Sequence, residues 1–503
     1  MPNLIPVQNI RRVLIVRPDA IGDMVLTLPA IAALRQAHPH LHITLLGSNY
    51  TYDLVSETGL FDEILIDKCR TGEARGWRNY WAYIQEIRRM TFDAVVHFYS
   101  ETPEVWLTVF AGIRYQVGDK AKLGLWPIFR KYGSFLKTFD QTKHVVEYNF
   151  QLLQAFGLKL DPEMPLISTL TPNKHDAGRQ KLIEAGWNGQ QKIVGFHLGV
   201  GGGNKAISVL KFAHTIKTLH QDGYAICFTG NSPKERADRD ILRQELDFPV
   251  LDLVGNTTLG ELIGALSCWS LYIGVDTGPF HLAASMGVPQ VAIFPTRRVK
   301  PTRWAPWRNR HELVREAYQC PHFCPHEACP LTVCSDALQE ADIIAKAKRV
   351  LNGGGYRDAN DQFNLWFRNS MAVLILQDSR TATRATAWQK KLQSQGIRCQ
   401  ITDIGDSELA AKMLAQDTTI LHNFTGKSRL KLFIRCQRMA LQLFNPPLLV
   451  NDDLPGRGSA ATKKKIQRAS PFGSRSRQQL PGLDNVDIDP IAYYKHLFEE
   501  KKL

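Results

Sequence analysis

The feature that most constrains this chain is a repeated alternation of short apolar runs with stretches of helical periodicity. Strand-like runs lie at residues 13–17, 42–47, 63–66 and 93–98, and a closing helix is predicted at 145–158. After a polar stretch the pattern starts again, with strand-like runs at residues 193–196, 225–228, 271–273 and 290–294. Strands that alternate with helices form right-handed βαβ units on a parallel sheet. We therefore predict two α/β domains, residues 11–175 and 190–351.

The pattern continues on a smaller scale beyond a glycine-rich linker at residues 352–355. Four further strand-like runs lie at residues 372–376, 398–402, 419–422 and 448–450. They predict a small accessory α/β unit over residues 370–453. Residues 454–503 begin with a stretch rich in Gly, Ser, Lys and Arg, which predicts a basic and partly disordered tail.

Open α/β sheets bind ligands at the carboxyl ends of their strands, and three loops at such positions carry polar groups. The first loop contains Asp19, Gly22 and Asp23. Gly22 is expected to let the backbone turn tightly. Asp23 has two possible roles: it caps the following helix, or it is a general base that removes a proton from a sugar hydroxyl.

The second and third loops suit a phosphate. Residues 197–205 are glycine-rich and end in Lys205, a combination that presents backbone N–H groups and one cation to an anion. A flexible surface loop with a solvated lysine is the alternative. In the third loop Thr277 or Gly278 is expected to begin a helix that ends at Gly287, and the free N–H groups at its start favour a diphosphate. His281 in its first turn either faces the ligand or is structural.

The first and third loops together resemble the bacterial heptosyltransferases of glycosyltransferase family 9. The resemblance rests on the segment Arg-Pro-Asp-Ala-Ile-Gly-Asp at 17–23 and on Asp-Thr-Gly-Pro-Phe-His-Leu-Ala-Ala at 276–284, and it covers about residues 11–350. It implies the GT-B architecture, in which one Rossmann-like domain binds the acceptor and the other binds ADP-heptose. It also implies inverting transfer that requires no metal cofactor.

The resemblance assigns roles to individual residues. Asp23 matches the catalytic aspartate, with Asp19 and Gly22 beside it on the acceptor side, and Glu235 matches an acid that contacts the adenosine ribose. The remaining donor-binding residues are the phosphate-binding Lys205 and the loop residues Asp276, Thr277, Gly278 and His281. Residues 206–208 differ from the usual tryptophan and proline of the family, which leaves the donor sugar open.

Four cysteines form a cluster late in the second domain. Cys320, Cys324, Cys329 and Cys334 lie within fifteen residues and have two histidines among them. Four thiolates can hold zinc or iron tetrahedrally, but the spacing lacks the usual paired C-x2-C knuckles. Structural zinc or iron, reduced structural thiols and disulfides all remain open for this cluster.

Charge and hydropathy indicate where such a protein works. The formal net charge of +14 favours anionic partners, and no zinc-finger or aromatic RNA-binding signature indicates nucleic acid. We expect no secretory signal and no membrane-spanning segment, and therefore a cytoplasmic protein. The basic run between Arg457 and Arg477 is either a solvated extension or a contact with anionic lipid that holds the protein on the inner membrane.

These observations predict an inverting glycosyltransferase that moves heptose from ADP-heptose to a lipid-linked inner-core acceptor of lipopolysaccharide. Transfer of heptose or another sugar to a protein, a capsule or another surface glycan is the alternative within the same class. An inactive nucleotide-binding scaffold is the alternative from another class.

Overall fold

The computed structural model describes residues 5–119, 135–137, 143–161, 163–199, 208–295, 299, 301–315 and 338–358, together with four strands between residues 372 and 449. These residues form two compact units. The first unit contains the described residues up to Arg315 and residues 338–358, and the second contains the four later strands. The predicted basic tail, residues 454–503, lies outside the described residues.

The first sheet of the first unit has six parallel strands in the order β3-β2-β1-β4-β5-β6. Its strands are β1 Arg12–Val16, β2 His42–Gly47, β3 Glu63–Ile66, β4 Ala94–His97, β5 Tyr115–Asp119 and β6 Phe135–Lys137. Its helices are α1 Ile21–Val25, α2 Leu28–Ala37, α3 Asn49–Val55, α4 Lys68–Thr71, α5 Trp77–Arg89, α6 Thr102–Phe110 and α7 Val145–Leu153. Strand β1 lies at the centre and is covered on both faces, which explains why its four residues after Arg12 are all apolar.

The second sheet repeats this arrangement with six parallel strands in the order β12-β11-β10-β7-β8-β9. Its strands are β7 Ile193–His197, β8 Ala225–Thr229, β9 Leu251–Asp252, β10 Trp269–Val275, β11 Gln290–Ile293 and β12 His311–Val314. The helices of this half are α8 Pro172–Glu184, α9 Leu210–Gln221, α10 Pro233–Glu245, α11 Leu259–Ser267, α12 Gly278–Ser285, α13 Pro301–Trp304 and α14 Glu340–Leu351. In both sheets the first strand pairs with the fourth, so the strand order reverses between them.

Helix α8 connects the two sheets through a close backbone contact with α11. A methyl group on Gly264 would lie 1.8 Å from the backbone oxygen of Lys174, so glycine is needed where the helices cross. The Lys174 ammonium reaches back to the first sheet's α3, where it donates to the backbone oxygen of Asp53 at 3.0 Å. Residue 175, the predicted end of the first domain, lies inside this helix, and the domain bounds stay a prediction.

The second unit contains a four-stranded parallel sheet in the order β14-β13-β15-β16. Its strands are β13 Ala372–Gln377, β14 Arg398–Asp403, β15 Thr419–Asn423 and β16 Leu448–Leu449. All four runs predicted from the sequence are strands. Strands β5, β6, β9 and β12 were not predicted. Strands β6 and β9 are only three and two residues long, and polar residues interrupt the apolar runs of β5 and β12, where Gln116 and Glu312 are nevertheless buried.

Candidate active site

The carboxyl edges of the two six-stranded sheets meet where α1 contacts α12. A methyl group on Gly22 would lie 2.7 Å from Cδ2 of His281, and one on Gly278 would lie 3.1 Å from Cβ of Ile21. Gly22 is part of helix α1 and its φ is not in the left-handed region, so its predicted role in a tight turn is wrong. Glycine is needed there because the two helices approach each other closely.

Asp23 lies in the first turn of α1, beside this contact. The N-cap of α1 is Ala20 and no side chain caps the helix, so a capping role for Asp23 is wrong. Its carboxylate instead accepts a hydrogen bond from Nη2 of Arg17 at 2.6 Å. The Asp23 side chain keeps 27% of its surface exposed, whereas Arg17 is almost completely buried. A buried cation therefore orients a carboxylate that remains accessible to a substrate.

Arg17 also pairs with Asp19, whose Oδ1 lies 3.0 Å from the guanidinium Nε. Burial raises the pKa of Asp19 to about 6, with the charge of Asp23 adding to the rise and that of Arg17 opposing it. Arg17 therefore pairs with two carboxylates, and that of Asp19 is more buried than that of Asp23. Arg17 was not predicted as a site residue, although its position between a buried strand and two aspartates was a recognisable signal.

Further acidic residues lie at the same edge of the first sheet. Asp67 and Glu104 are buried, and Arg70 bridges Glu104 at 3.2 Å and Glu101 at 3.1 Å. Burial raises the pKa of Asp67 to about 7, and the charge of Glu104 raises it further. The charge of Arg70 also reaches Asp19 and lowers its pKa. This cluster has no distinctive motif, and only the fold assembles it.

On the second sheet, Asp276 and His281 form a buried pair across the first turn of α12. The imidazole Nε2 lies 2.8 Å from Oδ1 of Asp276, and His281 is only 1% exposed. Burial raises the pKa of Asp276, against the influence of His281, and the charge of Asp23 raises it further. The two loops are therefore close enough for their charges to interact. Nδ1 of His281 is buried and has no hydrogen-bond partner within the described residues.

The helix that follows Asp276 begins and ends where the sequence predicts. Thr277 is the N-cap of α12, and proline occupies its first turn. Gly287 follows the helix with a φ of +76°, a conformation that favours glycine. The hydroxyl of Thr277 donates to the backbone oxygen of Val275 at 3.3 Å, so no side chain caps this N-terminus. The first N–H groups of α12 remain available for an anion.

Glu235 occupies the third position of α10 and belongs to a capping box with Ser232. Its Oε2 accepts hydrogen bonds from the backbone N–H groups of Asn231 and Ser232. Burial opposes ionisation of Glu235, but these two donors and the nearby His197 hold its pKa below the usual value. Burial lowers the pKa of His197 to about 4, so this imidazole is neutral at neutral pH. The S-x-x-E pattern at 232–235 was a recognisable signal for the box.

Several predicted residues lie outside the described residues, namely Lys205 and the four cysteines 320, 324, 329 and 334. Within the described ranges, no cluster of three or more His, Cys, Asp or Glu side chains is arranged to hold a metal ion. None of the helices that the structure describes combines the length and the apolar character that crossing a bilayer requires.

Comparison with known proteins settles the family. The profile of glycosyltransferase family 9 (heptosyltransferase) matches residues 80–332, half of the 503-residue chain. The chain belongs to glycosyltransferase family 9. This family 9 protein is therefore a glycosyltransferase, as the motifs predict.

Relatives and a solved structure agree with this assignment. The family 9 chain is 26% identical over 291 residues to lipopolysaccharide heptosyltransferase 3 of Escherichia coli, covering 57% of this chain and 84% of that protein. It is 24% identical over 341 residues to lipooligosaccharide heptosyltransferase 2 of Campylobacter jejuni, covering 66% and 97%. The crystal structure of a family 9 glycosyltransferase from Veillonella parvula superposes with a TM-score of 0.57 at 20% identity, covering 68% and 98%. The predicted GT-B architecture with two Rossmann-like domains is confirmed.

Proposed function

We propose that this enzyme transfers heptose from ADP-heptose to a lipid-linked inner-core acceptor of lipopolysaccharide, with inversion at the anomeric carbon. The observation that carries the proposal is the contact between α1 and α12. It brings the accessible carboxylate of Asp23 next to the Asp276–His281 pair and the N-terminus of a helix. The names of the relatives support heptose as the donor sugar and lipopolysaccharide as the acceptor class.

In the proposed reaction Asp23 is the general base. The acceptor hydroxyl oxygen attacks the anomeric carbon and forms the new glycosidic bond, while its proton passes to the Asp23 carboxylate. The bond between the anomeric carbon and the phosphate oxygen breaks, and ADP leaves with the electron pair. Arg17 holds Asp23 in place through its 2.6 Å hydrogen bond, which leaves the rest of the carboxylate for the acceptor.

The second sheet stabilises the departing ADP. The N-terminus of α12 offers unpaired N–H groups and the positive end of the helix dipole to the diphosphate. We place Lys205 on the same diphosphate, after the glycine-rich segment that follows β7. Glu235 contacts the adenosine ribose: its Oε2 is occupied by two backbone donors, and Oε1 is the atom available to ribose hydroxyls. This arrangement provides electrostatic stabilisation from the chain's own groups.

The remaining predicted features belong to the same proposal. We place the enzyme in the cytoplasm, on the inner face of the inner membrane, because its acceptor is lipid-linked. Catalysis requires no cofactor, and zinc or iron at the cysteine cluster has a structural role. Transfer to a protein, a capsule or another glycan is the alternative acceptor class, and glycan analysis of a deletion strain separates these acceptors from the lipopolysaccharide core.

Substitution of Asp23 tests the mechanism. Asp23→Asn keeps the shape and can still accept the Arg17 hydrogen bond, but it cannot take the proton. We expect ADP release to fall about 10²–10⁴-fold, with donor affinity nearly unchanged. The matched control is Asp176→Asn, because the Asp176 side chain is 81% exposed in α8, away from the α1–α12 contact. An Asp23→Asn rate within a few-fold of wild type would remove Asp23 from the reaction. A wild-type protein that binds ADP-heptose but releases no ADP when acceptor is added would favour a scaffold.

A further inference from the structure

The outer surface of helix α5 is unusually aromatic and basic for a solvent-facing helix. Tyr83, Ile84 and Ile87 are buried and pack this helix on the first sheet. Beside this buried side lie Trp77, which is 76% exposed, and Trp81, which is 51% exposed. Residues four apart on a helix lie on one face, so the two indoles form a continuous stripe. Isolated apolar side chains on a surface are ordinary, but two adjacent exposed tryptophans indicate a binding surface.

Helix α6 extends this aromatic surface. Phe110, its last residue, is 44% exposed and stacks on Trp106 with ring centroids 5.0 Å apart. Arg88 joins the two helices, because its Nη2 donates to the backbone oxygen of Phe110 at 2.5 Å. Arg88 is exposed near the end of α5, eleven residues after Trp77. Both helices therefore carry exposed aromatic side chains, and Arg88 joins the two helices.

The charges on α5 are arranged around the aromatic stripe. Arg78, Arg88 and Arg89 are exposed, and the guanidinium of Arg78 lies over the ring of Trp77 at 5.3 Å from its centroid. The one acid within α5 is Glu86, and Lys68 neutralises it at 2.6 Å. We name the residues Trp77, Arg78, Trp81, Arg88, Arg89 and Phe110 the Trp–Arg face. This face has three positive charges and no negative charge of its own.

The Trp–Arg face begins at the edge of the sheet where the proposed acceptor binds. Helix α5 follows β3 and α4, so Trp77 lies at the carboxyl edge of the first sheet. Tyr80, in the first turn of α5, donates to the backbone oxygen of Pro103 at 2.6 Å, at the start of α6. Arg70, between β3 and α5, is close enough to lower the pKa of Asp19. The start of the Trp–Arg face therefore lies on the acceptor side of the site.

We propose that the Trp–Arg face docks the enzyme on the surface of an anionic phospholipid bilayer. Indole rings favour the interface between lipid headgroups and hydrocarbon, and arginines beside them pair with lipid phosphates. Docking through α5 and α6 turns the acceptor edge of the first sheet towards lipid-linked substrates. Docking in this orientation helps the enzyme only if its acceptor is anchored in the membrane. In this respect the inference rests on the proposed function.

Vesicle binding of the full chain tests this docking surface. The probes are vesicles of phosphatidylethanolamine with phosphatidylglycerol, and vesicles of phosphatidylcholine alone. Trp77→Ser/Trp81→Ser should weaken sedimentation with the anionic vesicles by tenfold or more. The matched control is Ile183→Ser/Ile241→Ser, which removes two exposed apolar side chains, 39% and 41% exposed, from α8 and α10. The control should bind like wild type.

A second pair of variants tests the charges. Arg78→Gln/Arg89→Gln should weaken anionic binding several-fold and reduce its salt dependence, because attraction to lipid charge is screened. The control Lys192→Gln/Lys217→Gln removes two positive charges from the second half of the first unit and should have little effect. Arg88 is left unchanged because its hydrogen bond to Phe110 also holds α5 against α6.

Activity assays separate this proposal from the proposed function. With a de-acylated acceptor, the Trp77→Ser/Trp81→Ser variant should release ADP at the wild-type rate, whereas with vesicle-embedded acceptor the rate should fall. The docking surface would be overturned if this variant bound vesicles as well as wild type does. It would also be overturned if the two control variants lost as much vesicle binding as the test variants. A change in oligomeric state by sedimentation velocity, without a change in vesicle binding, would instead assign the face to a second copy. Vesicle binding that depends on the tryptophans, with no heptosyl transfer, would retain the surface and refute the proposed function.

Discussion

The contact between α1 and α12 makes Gly22→Ala the most informative single substitution in this protein. The added methyl group would lie 2.7 Å from Cδ2 of His281. Carbon atoms pack comfortably at about 3.5 Å or more, so the overlap is roughly 0.8 Å. His281 is 1% exposed and bonded to Asp276 at 2.8 Å, so it cannot rotate away without losing that bond. The two sheet edges must therefore move apart by a large fraction of an ångström.

The expected effects on stability and on rate differ in size. Overpacking of this kind costs about 1–3 kcal/mol, and alanine in place of glycine within a helix returns up to about 1 kcal/mol. The free energy of unfolding should therefore fall by about 3 kcal/mol or less. A misplacement near 1 Å between reacting groups can cost about 10²-fold in rate. We expect kcat for ADP release to fall by that order while the fold persists.

The assay compares kcat at saturating substrates with thermal unfolding of the same preparation. Gly260→Ala in α11 is the matched control, because its nearest neighbour is Cγ of Lys174 at an ordinary 3.6 Å. This control should keep wild-type activity and gain a little stability. A Gly22→Ala enzyme with kcat within threefold of wild type and unchanged melting would mean that the two edges do not touch in the working enzyme.

Three further predictions concern the remaining groups. Burial raises the pKa of Asp19 from 3.8 to about 6, so the folded state binds a proton that the unfolded chain has released between these values. The free energy of unfolding of wild type, relative to that of Asp19→Asn, should therefore fall by up to about 3 kcal/mol between pH 4 and pH 6 and stay constant above pH 6. Urea denaturation of both proteins across this pH range measures the difference. A difference that does not change with pH contradicts the prediction. Lys205→Ala should weaken ADP binding in calorimetry with an unchanged melting temperature, and unaltered affinity would remove Lys205 from the donor site. Elemental analysis of protein purified without chelator should find near-stoichiometric zinc or iron, held by the cysteines between 320 and 334. A fully active protein that contains neither metal would mean that these cysteines are reduced thiols or disulfides.

Most of the strands of both six-stranded sheets could be predicted because strand formation leaves a local pattern in the sequence. In a buried central strand such as Arg12–Val16 the four residues after Arg12 are apolar, and this run is visible in one short window. The same holds for α12, where Thr277, the proline after Gly278 and Gly287 mark the start and end of the helix. Strands whose residues gain burial only from their neighbours, such as His311–Val314, carry no such pattern.

The residues of the candidate site were also recognisable as motifs, but their functions in the fold were not. Gly22 resembled a turn residue, and only the fold shows that its missing side chain makes room for His281. Arg17 acquires its role because two aspartates surround it after folding.

The sequence by itself determined most of the elements and the family, since both depend on residues that are close along the chain. The tertiary structure decided which loops meet and which side chains remain exposed. Gly22 and His281 are far apart in sequence, and Trp77 and Tyr83 have similar apolar character although one is exposed and the other buried. Distances of this kind follow from how the two sheets and their helices pack together, and no local pattern encodes them.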